Sequence, residues 1–365
     1  APPRQRPAGG WDDSPRRRAA SAKPRRSPLK SAALGIYKVL VVLSAIVVAV
    51  YLGVTLMIKA PEQNQNLPNG GGNITVPVVD GNGGVSTVDP DGQALERRSG
   101  VYTIFLAATD LEGYRTDTMM LMTYDTKAQT VGVVSIPRDT LVARAKGSNP
   151  RLVYGKGGVE QRAEDVSDML GVPIDFYVKV NIKGFITLVD YLKGIDFYIP
   201  CNMDYDDDIQ DLHIHYKTGQ THLNGQQAME VARFRKNNDG SGYSDIGRTQ
   251  TQQQILVALA KKVLSWGNLT RINGFVEIFN DNVDTDLELS EMLYFASQAV
   301  NLDPSSGVET ATLPGRGDGV YHGTSYCYEL DREETLEIVN RLINPYTQTM
   351  TLDNMNLAKA ERYMS

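Results

Sequence analysis

Apolar and polar positions change period several times along this chain. From Val39 to Ile58, 20 consecutive positions carry no charge; at about 1.5 Å per residue such a run matches the roughly 30 Å hydrocarbon core of a bilayer. The pattern predicts a transmembrane helix over 39–58. A cleaved signal peptide fits poorly, because the run is longer than a secretory apolar core and no A-x-A-like site follows it. From Ala60 to about Gly100 the chain is instead dense in Gly, Asn, Asp and Pro. That composition predicts a flexible spacer over 59–98, since it cannot bury enough apolar surface to stay folded.

Beyond the spacer, strand-like and helix-like patterns alternate. VYTIFLAATD, TMMLMTYD, TVGVVSIP, DFYVKV and GIDFYIP are short apolar runs bounded by polar or turn residues, the signature of strands. VEQRAEDVSDMLG predicts a helix stopped by Gly171. IKGFITLVDYLKG places Phe185, Leu188, Val189 and Leu192 on one helical face, with Gly194 as its stop. Asn224 caps NGQQAMEVARFR, IGRTQTQQQILVALAKKVL forms a long helix, and Asp331 opens a last helix in capping-box style. The alternation predicts an α/β fold, a mixed central sheet sandwiched by helices, over 99–346, followed by a tail at 347–365.

Charge changes this picture at the N-terminus. The net charge of -6 divides into ten basic against two acidic residues up to Lys38, and 27 basic against 41 acidic afterwards. Basic flanks stay on the cytoplasmic side, so the arm 1–38 is expected inside and the domain outside, as a single-pass membrane protein. The arm lacks an apolar period and is expected to be disordered. Anionic lipid headgroups beside it explain its charge without a nucleic-acid partner. Cys201 and Cys327 are the only cysteines, and an exported location permits a disulfide between them. His213 and His215 occupy alternate positions of a strand pattern rather than a metal-ligand spacing. Asn73 and Asn268 match the short glycosylation sequon that chance alone supplies.

The candidate chemistry lies where apolar segments end, the place where α/β folds put their sites. Asp110 follows the first strand, Arg115 and Asp117 precede the second, and Arg138 and Asp139 follow the third. Arg233 and Arg235 alternate at the end of a helix; Asp245, Arg248 and Gln252 stand where the long helix begins. Planar guanidinium groups suit phosphate oxygens, and a helix N-terminus adds N–H donors for the same anion. Aspartates among them would hold Mg²⁺ or accept a proton from an attacking hydroxyl. The same residues also fit a second arrangement, in which arginines and aspartates simply pair as salt bridges between elements.

In order and separation, RTDT, SIPRDT, NIKGFITLVDYLKGIDFYIP, LNGQQAMEVARFR and DIGRTQTQQQIL resemble the LytR-CpsA-Psr family of Gram-positive bacteria. The resemblance is strong over Val101 to Leu264 and weaker toward Tyr346. It implies an α/β sandwich and a membrane-anchored phosphotransferase. Such an enzyme moves a glycopolymer, wall teichoic acid or capsular polysaccharide, from a polyprenyl-pyrophosphate lipid onto peptidoglycan. A sugar hydroxyl attacks the polymer-bearing phosphate and polyprenyl phosphate leaves. Carried over, Asp110 and Asp117 would hold Mg²⁺ and take the proton. Arg115, Arg138, Arg233, Arg235 and Arg248 would grip the pyrophosphate, and Gln252 would support the head group. Asp139 is expected to hold neighbouring backbone or an arginine.

Two positions depart from the family's pattern. Thr251 stands where a second arginine is usual after Arg248, which predicts an anion grip one cation short. The usual lysine before the Gly-Gly segment is unclear, with Arg151 or Lys156 as stand-ins. A lipid tail would need a gap lined by Phe185, Leu188, Val189 and Leu256, stripes that ordinary packing also explains. DYDDDIQD, Asp204 to Asp211, is expected as a solvated loop, and the RGD at Arg316 to Asp318 as a plain turn. A non-catalytic lipid-binding scaffold and a polyprenyl-pyrophosphate hydrolase remain the competing functions.

Overall fold

The computed structural model describes residues 59–64, 78–79, 85–86, 95–109, 116–154, 158–242, 245–263 and 282–364. The predicted arm and transmembrane run lie outside them. No helix among the described residues is long and apolar enough to cross a membrane.

Strands β1 (Val101–Thr109), β2 (Thr116–Asp125) and β3 (Thr130–Ile136) follow one another as an antiparallel meander. Helix α1 (Val159–Leu170) leads to β4 (Phe176–Asn181), which lies parallel to β1. Helix α2 (Ile182–Tyr191) then leads into four strands, β5 (Ile195–Ile199), β6 (Met203–Asp207), β7 (Leu212–Tyr216) and β8 (Gly219–Leu223). Helices α3 (Gly225–Arg233) and α4 (Asp245–Val263) come next, then β9 (Val283–Thr285), α5 (Leu289–Ala299) and β10 (Val308–Thr312). The chain closes with β11 (Gly315–Tyr321), β12 (Thr324–Leu330), α6 (Arg332–Ile338) and β13 (Arg362–Tyr363).

The central sheet runs β9-β4-β1-β2-β3-β10, with parallel pairs at β4/β1 and β3/β10. This is the mixed α/β sheet that the alternating pattern predicts. Its middle strands are covered on both faces, which is why they read as continuous apolar runs. Phe105, Met119, Leu121 and Val134 pack under α1 and the 339–343 turn. Tyr102, Ile104, Met120 and Val133 face the opposite way, toward Leu256 of α4 and Phe295 of α5. A separate apolar cluster joins α2, α3 and the antiparallel strand pairs β5/β8 and β6/β7 through Val189, Phe197, Ile214 and Phe234.

Local signals set the helix ends. Gly171 adopts φ 69° and donates its N–H to the Ser167 carbonyl at 2.9 Å. Asn224 and Gln227 form a reciprocal capping box on α3, and the Asp331 carboxylate accepts from Glu334 N. Two expectations change. Asp204, Asp206 and Asp207 belong to strand β6 rather than a loop, because Met203 and Tyr205 alternate with them and turn inward against Ile214 and Leu212. The RGD lies within β11, where Arg316 and Asp318 pair with each other at 2.7 Å. Cys201 and Cys327 are both free thiols, the latter buried. Past residue 346, where the sequence places a tail, Met350, Met355 and Leu357 are buried in the same core as α1.

Candidate functional site

Strands β1, β3 and β4 run in one direction, so Thr109, Pro137–Arg138 and Asn181 gather at one edge of the sheet, together with the start of β2. Across the β1/β2 ladder Ala108 faces Thr118 whereas Thr109 faces Thr116. Asp117 is therefore the extra residue of a β-bulge, a device that re-aims side chains beside functional sites. The Asp117 side chain, Asp110 and Arg115 lie outside the described residues. Thr109, directly before Asp110, lines a cavity of about 970 Å³ whose lining also includes Arg138 and Asn181 from this edge.

Two kinds of residue line that cavity. Leu106, Met120 and Val178 form an apolar floor on the sheet, with Phe185, Leu188 and Leu256 as helical walls. Arg138, Arg233, Arg235, Lys236 and Arg248 supply cations, and Gln252 is also in the lining. Of the predicted tail-lining residues Phe185, Leu188 and Leu256 are present. Val189 is not, because α2 turns it into the cluster shared with α3, where it is completely buried.

Each arginine has a local reason for its position. A turn closed by Thr140 N–H to the Pro137 carbonyl at 3.0 Å carries Arg138 off the end of β3. Asp139 accepts from Arg138 Nε at 3.3 Å and lies 3.9 Å from Arg151 Nη1. Asp139 thus steadies Arg138. Arg151, which also stacks over Tyr154 with 4.7 Å to the ring centroid, does not reach the cavity lining. Phe234, fully buried and extended, separates Arg233 from Arg235, so both can line the same space. Arg233 donates to Gln210 Oε1 at 2.7 Å.

Arg248 and Gln252 lie one turn apart on α4, and the Gln252 amide is already bonded. Its Oε1 accepts from Thr118 Oγ1 at 3.2 Å, and its Nε2 donates to the Ala232 carbonyl at 3.1 Å. Gln252 therefore ties the start of β2 to the arginine end of α3. Thr251 is buried, back-bonded to the Gly247 carbonyl, and absent from the lining. The departure at Thr251 thus falls behind the cavity wall. Lys236, Gln210 and Thr118 are lining residues that the sequence did not single out. Lys236 directly follows Arg235, a signal that was available; the two uncharged residues offered none.

Among the described residues, Asp204, Asp206 and His215 are the ones whose ligand atoms converge closely enough for a metal ion, and all three are exposed. His213 and His215 are pushed above the usual imidazole range by hydrogen bonds to Asp206 and Asp204 respectively, and the bond to His213 holds Asp206 low. Asp110 and the Asp117 carboxylate, the groups expected to hold Mg²⁺, lie outside the described residues; the described backbone gives their neighbour Thr109 in the cavity lining and the bulge at residue 117.

The LytR_cpsA_psr family model matches residues 83–344. The chain belongs to the LytR_cpsA_psr family. Polyisoprenyl-teichoic acid--peptidoglycan teichoic acid transferase TagV of Bacillus subtilis (strain 168) is 33% identical over 246 residues, 66% of this chain and 61% of TagV. The TagU transferase of Bacillus anthracis (strain CDC 684 / NRRL 3495) is 32% identical over 246 residues, 66% of this chain and 77% of TagU. The crystal structure of B. subtilis TagV superposes with a TM-score of 0.58 at 29% identity, covering 69% of this chain and all of that one. A TagT structure described as bound to LIIa-WTA shares the family fold at TM-score 0.55 and 23% identity, over 72% of this chain.

Proposed function

We propose that this protein transfers a glycopolymer from a polyprenyl-pyrophosphate lipid to a peptidoglycan hydroxyl, outside the cell and anchored by residues 39–58. The observation that carries the reading is one cavity with two linings, an apolar floor and walls beside a group of cations. An isoprenoid pyrophosphate has the matching two halves. The relatives' transferase names support the same chemistry, as does the basic arm before the apolar run for the orientation.

Phosphoryl transfer asks a protein mainly for positioning and for charge stabilisation at oxygens. Arg138, Arg233, Arg235 and Arg248 bind and neutralise the pyrophosphate, and Arg115 adds to them from the segment before β2. The acceptor oxygen forms a bond to the polymer-bearing phosphorus, and the bond to polyprenyl phosphate breaks. The acceptor's proton passes to the Asp117 carboxylate. Asp110 and Asp117 would hold Mg²⁺, which supplies further charge neutralisation at the phosphate oxygens when bound.

The test is an incubation of full-length protein with a polyprenyl-pyrophosphate glycan, Mg²⁺ and peptidoglycan fragments, with products read by mass spectrometry. A glycan-phosphate-peptidoglycan adduct is expected, abolished by EDTA and in Asp117→Ala. Arg138→Ala is expected to lower kcat/KM by about 10²-fold or more while leaving the melting temperature unchanged. Lipid phosphate released without an adduct would indicate a hydrolase. Bound, unchanged lipid would indicate a scaffold.

A further inference from the structure

The β6/β7 hairpin has two chemically different faces. Tyr205, Gln210 and Leu212 line the cavity. Asp204 and Asp206 alternate with Tyr205 along β6 and so point the other way, and the ladder sets His215 opposite Asp204 and His213 opposite Asp206. Two carboxylates and two imidazoles therefore share one exposed face. His215 Nδ1 lies 2.8 Å from Asp204 Oδ1, and its Nε2 lies 3.2 Å from Asp206 Oδ1. His213 Nδ1 lies 2.7 Å from that same Asp206 oxygen. Asp206 is also held from the segment after α3: Asn238 Oδ1 accepts from the Asp206 N–H at 3.0 Å, and its Nδ2 donates to Asp206 Oδ2 at 3.4 Å. Asp204 is gripped by the same segment, its N–H donating to Asn237 Oδ1 at 2.7 Å and its carbonyl accepting from the Asn238 N–H at 2.8 Å. Lys236, Gly240 and Gly242 of this segment line the cavity.

We infer that Asp204, Asp206 and His215 form a Zn²⁺ site, with His213 and Asn238 orienting Asp206, and that the ion fastens the hairpin to the 236–242 segment as one wall of the cavity. His215 has a carboxylate oxygen at each ring nitrogen. A neutral imidazole carries one N–H and one lone pair, so whichever nitrogen holds the proton, the other turns its lone pair to an anion. A positive species between them, a second proton or a metal ion, removes that repulsion. The spacing points to the metal. A charge-assisted N–H···O bond measures about 2.7–2.9 Å, whereas nitrogen and oxygen ligands at about 2.0–2.2 Å from a tetrahedral ion stand roughly 3.3 Å apart, close to the 3.2 Å between His215 Nε2 and Asp206 Oδ1. With its proton on Nδ1, bonded to Asp204, His215 presents Nε2 in the way that carboxylate-oriented histidines do at zinc. One ligand atom from each of the three residues lies within 4.8 Å of the others, and all three are exposed, so closing on an ion takes side-chain rotation alone. The imidazole selects Zn²⁺ over Mg²⁺, which takes oxygen ligands. His222 is the contrast: it meets one carboxylate, Asp196, and the Lys193 backbone carbonyl.

The test is equilibrium dialysis of the untagged full chain, in detergent, against Zn²⁺ with Mg²⁺ in excess, the bound zinc being counted by atomic emission. The wild type is expected to hold one more Zn²⁺ per chain than Asp206→Asn or His215→Gln, each of which lowers the affinity about tenfold or more. His222→Gln and Asp117→Ala are expected to keep that ion, the first because its pair has a single carboxylate, the second because its residue belongs to the cavity. All the substituted hairpin side chains are exposed, so the melting temperatures without zinc are expected to agree. Equal zinc content in the wild type and both hairpin variants overturns the site and leaves a proton between His215 and Asp206. Hydrogen exchange judges the fastening: Zn²⁺ is expected to slow the Asp204, Asp206 and Asn238 amides about tenfold in the wild type and not in His215→Gln. Exchange that zinc leaves unchanged in the wild type overturns the fastening. Neither measurement depends on the transfer reaction, so both stand whether or not that reaction is found.

Discussion

Gln252 joins two segments that the candidate chemistry needs side by side. Its acceptor meets Thr118, next to the bulged Asp117, and its donor meets the carbonyl before Arg233. Gln252→Ala and Thr118→Val are each expected to lower kcat/KM roughly five- to tenfold, the scale of about 1 kcal/mol for one hydrogen bond. Because the two residues share a bond, the double variant should lose less than the product of the singles. Losses that multiply in a double-mutant cycle would sink the coupling. The arginines were legible because a charge at the end of an apolar run stands out. Thr118 and Gln210 were not, since uncharged polar residues leave no such mark. Val189 was misplaced for a geometric reason: Phe185, Leu188 and Val189 share a helical stripe, but the stripe is wide enough to serve two neighbours, a cavity and a core.

At the scale of elements, the contact between α2 and α3 forms one wall of the cavity and depends on Gly225. Its N–H donates to Asp190 Oδ1 at 2.7 Å, and a Cβ there would run into the Ile186 carbonyl oxygen and its backbone. Gly225→Ala is expected to destabilise the fold by about 1–3 kcal/mol, although alanine suits a first helical turn. A urea titration measures it; a neutral or stabilised variant would show that α2 can withdraw without cost. Helix ends were readable because Gly171, Asn224 and Asp331 act on their own neighbouring backbone. The β6/β7 hairpin was not, since five aspartates between Asp204 and Asp211 argue for a loop by propensity. Inward Met203, Leu212 and Ile214 override it through burial that only the fold provides.

On the scale of the whole molecule, what the sequence hides is long-range pairing, and Arg97–Asp175 is the sharpest case. In ERRSG the two arginines look alike, and both fall in a polar stretch predicted to be a spacer. Arg97 is buried with Asp175, 78 residues away, while Arg98 pairs with Asp125 at 3.2 Å and is 41% exposed on its side chain. Asp175 also accepts from the Thr103 N–H at 2.7 Å and from the Asn64 N–H at 2.6 Å, so one carboxylate holds the start of β1, the approach to β4 and residue 64 together. Removing one member of a buried pair leaves a charge without its partner and costs about 3–5 kcal/mol, whereas an exposed pair contributes about 0–1 kcal/mol. Arg97→Ala is therefore expected to lower stability by about 3–5 kcal/mol, less whatever the remaining N–H donors to Asp175 recover. Arg98→Ala, which also loses a bond to the Asn344 carbonyl, is expected to cost about 1–2 kcal/mol. Urea titrations of both variants check the ranking. Equal losses would mean that solvent reaches Asp175 once Arg97 is gone, and that the backbone donors of Thr103 and Asn64 alone suffice to keep the first strand in register.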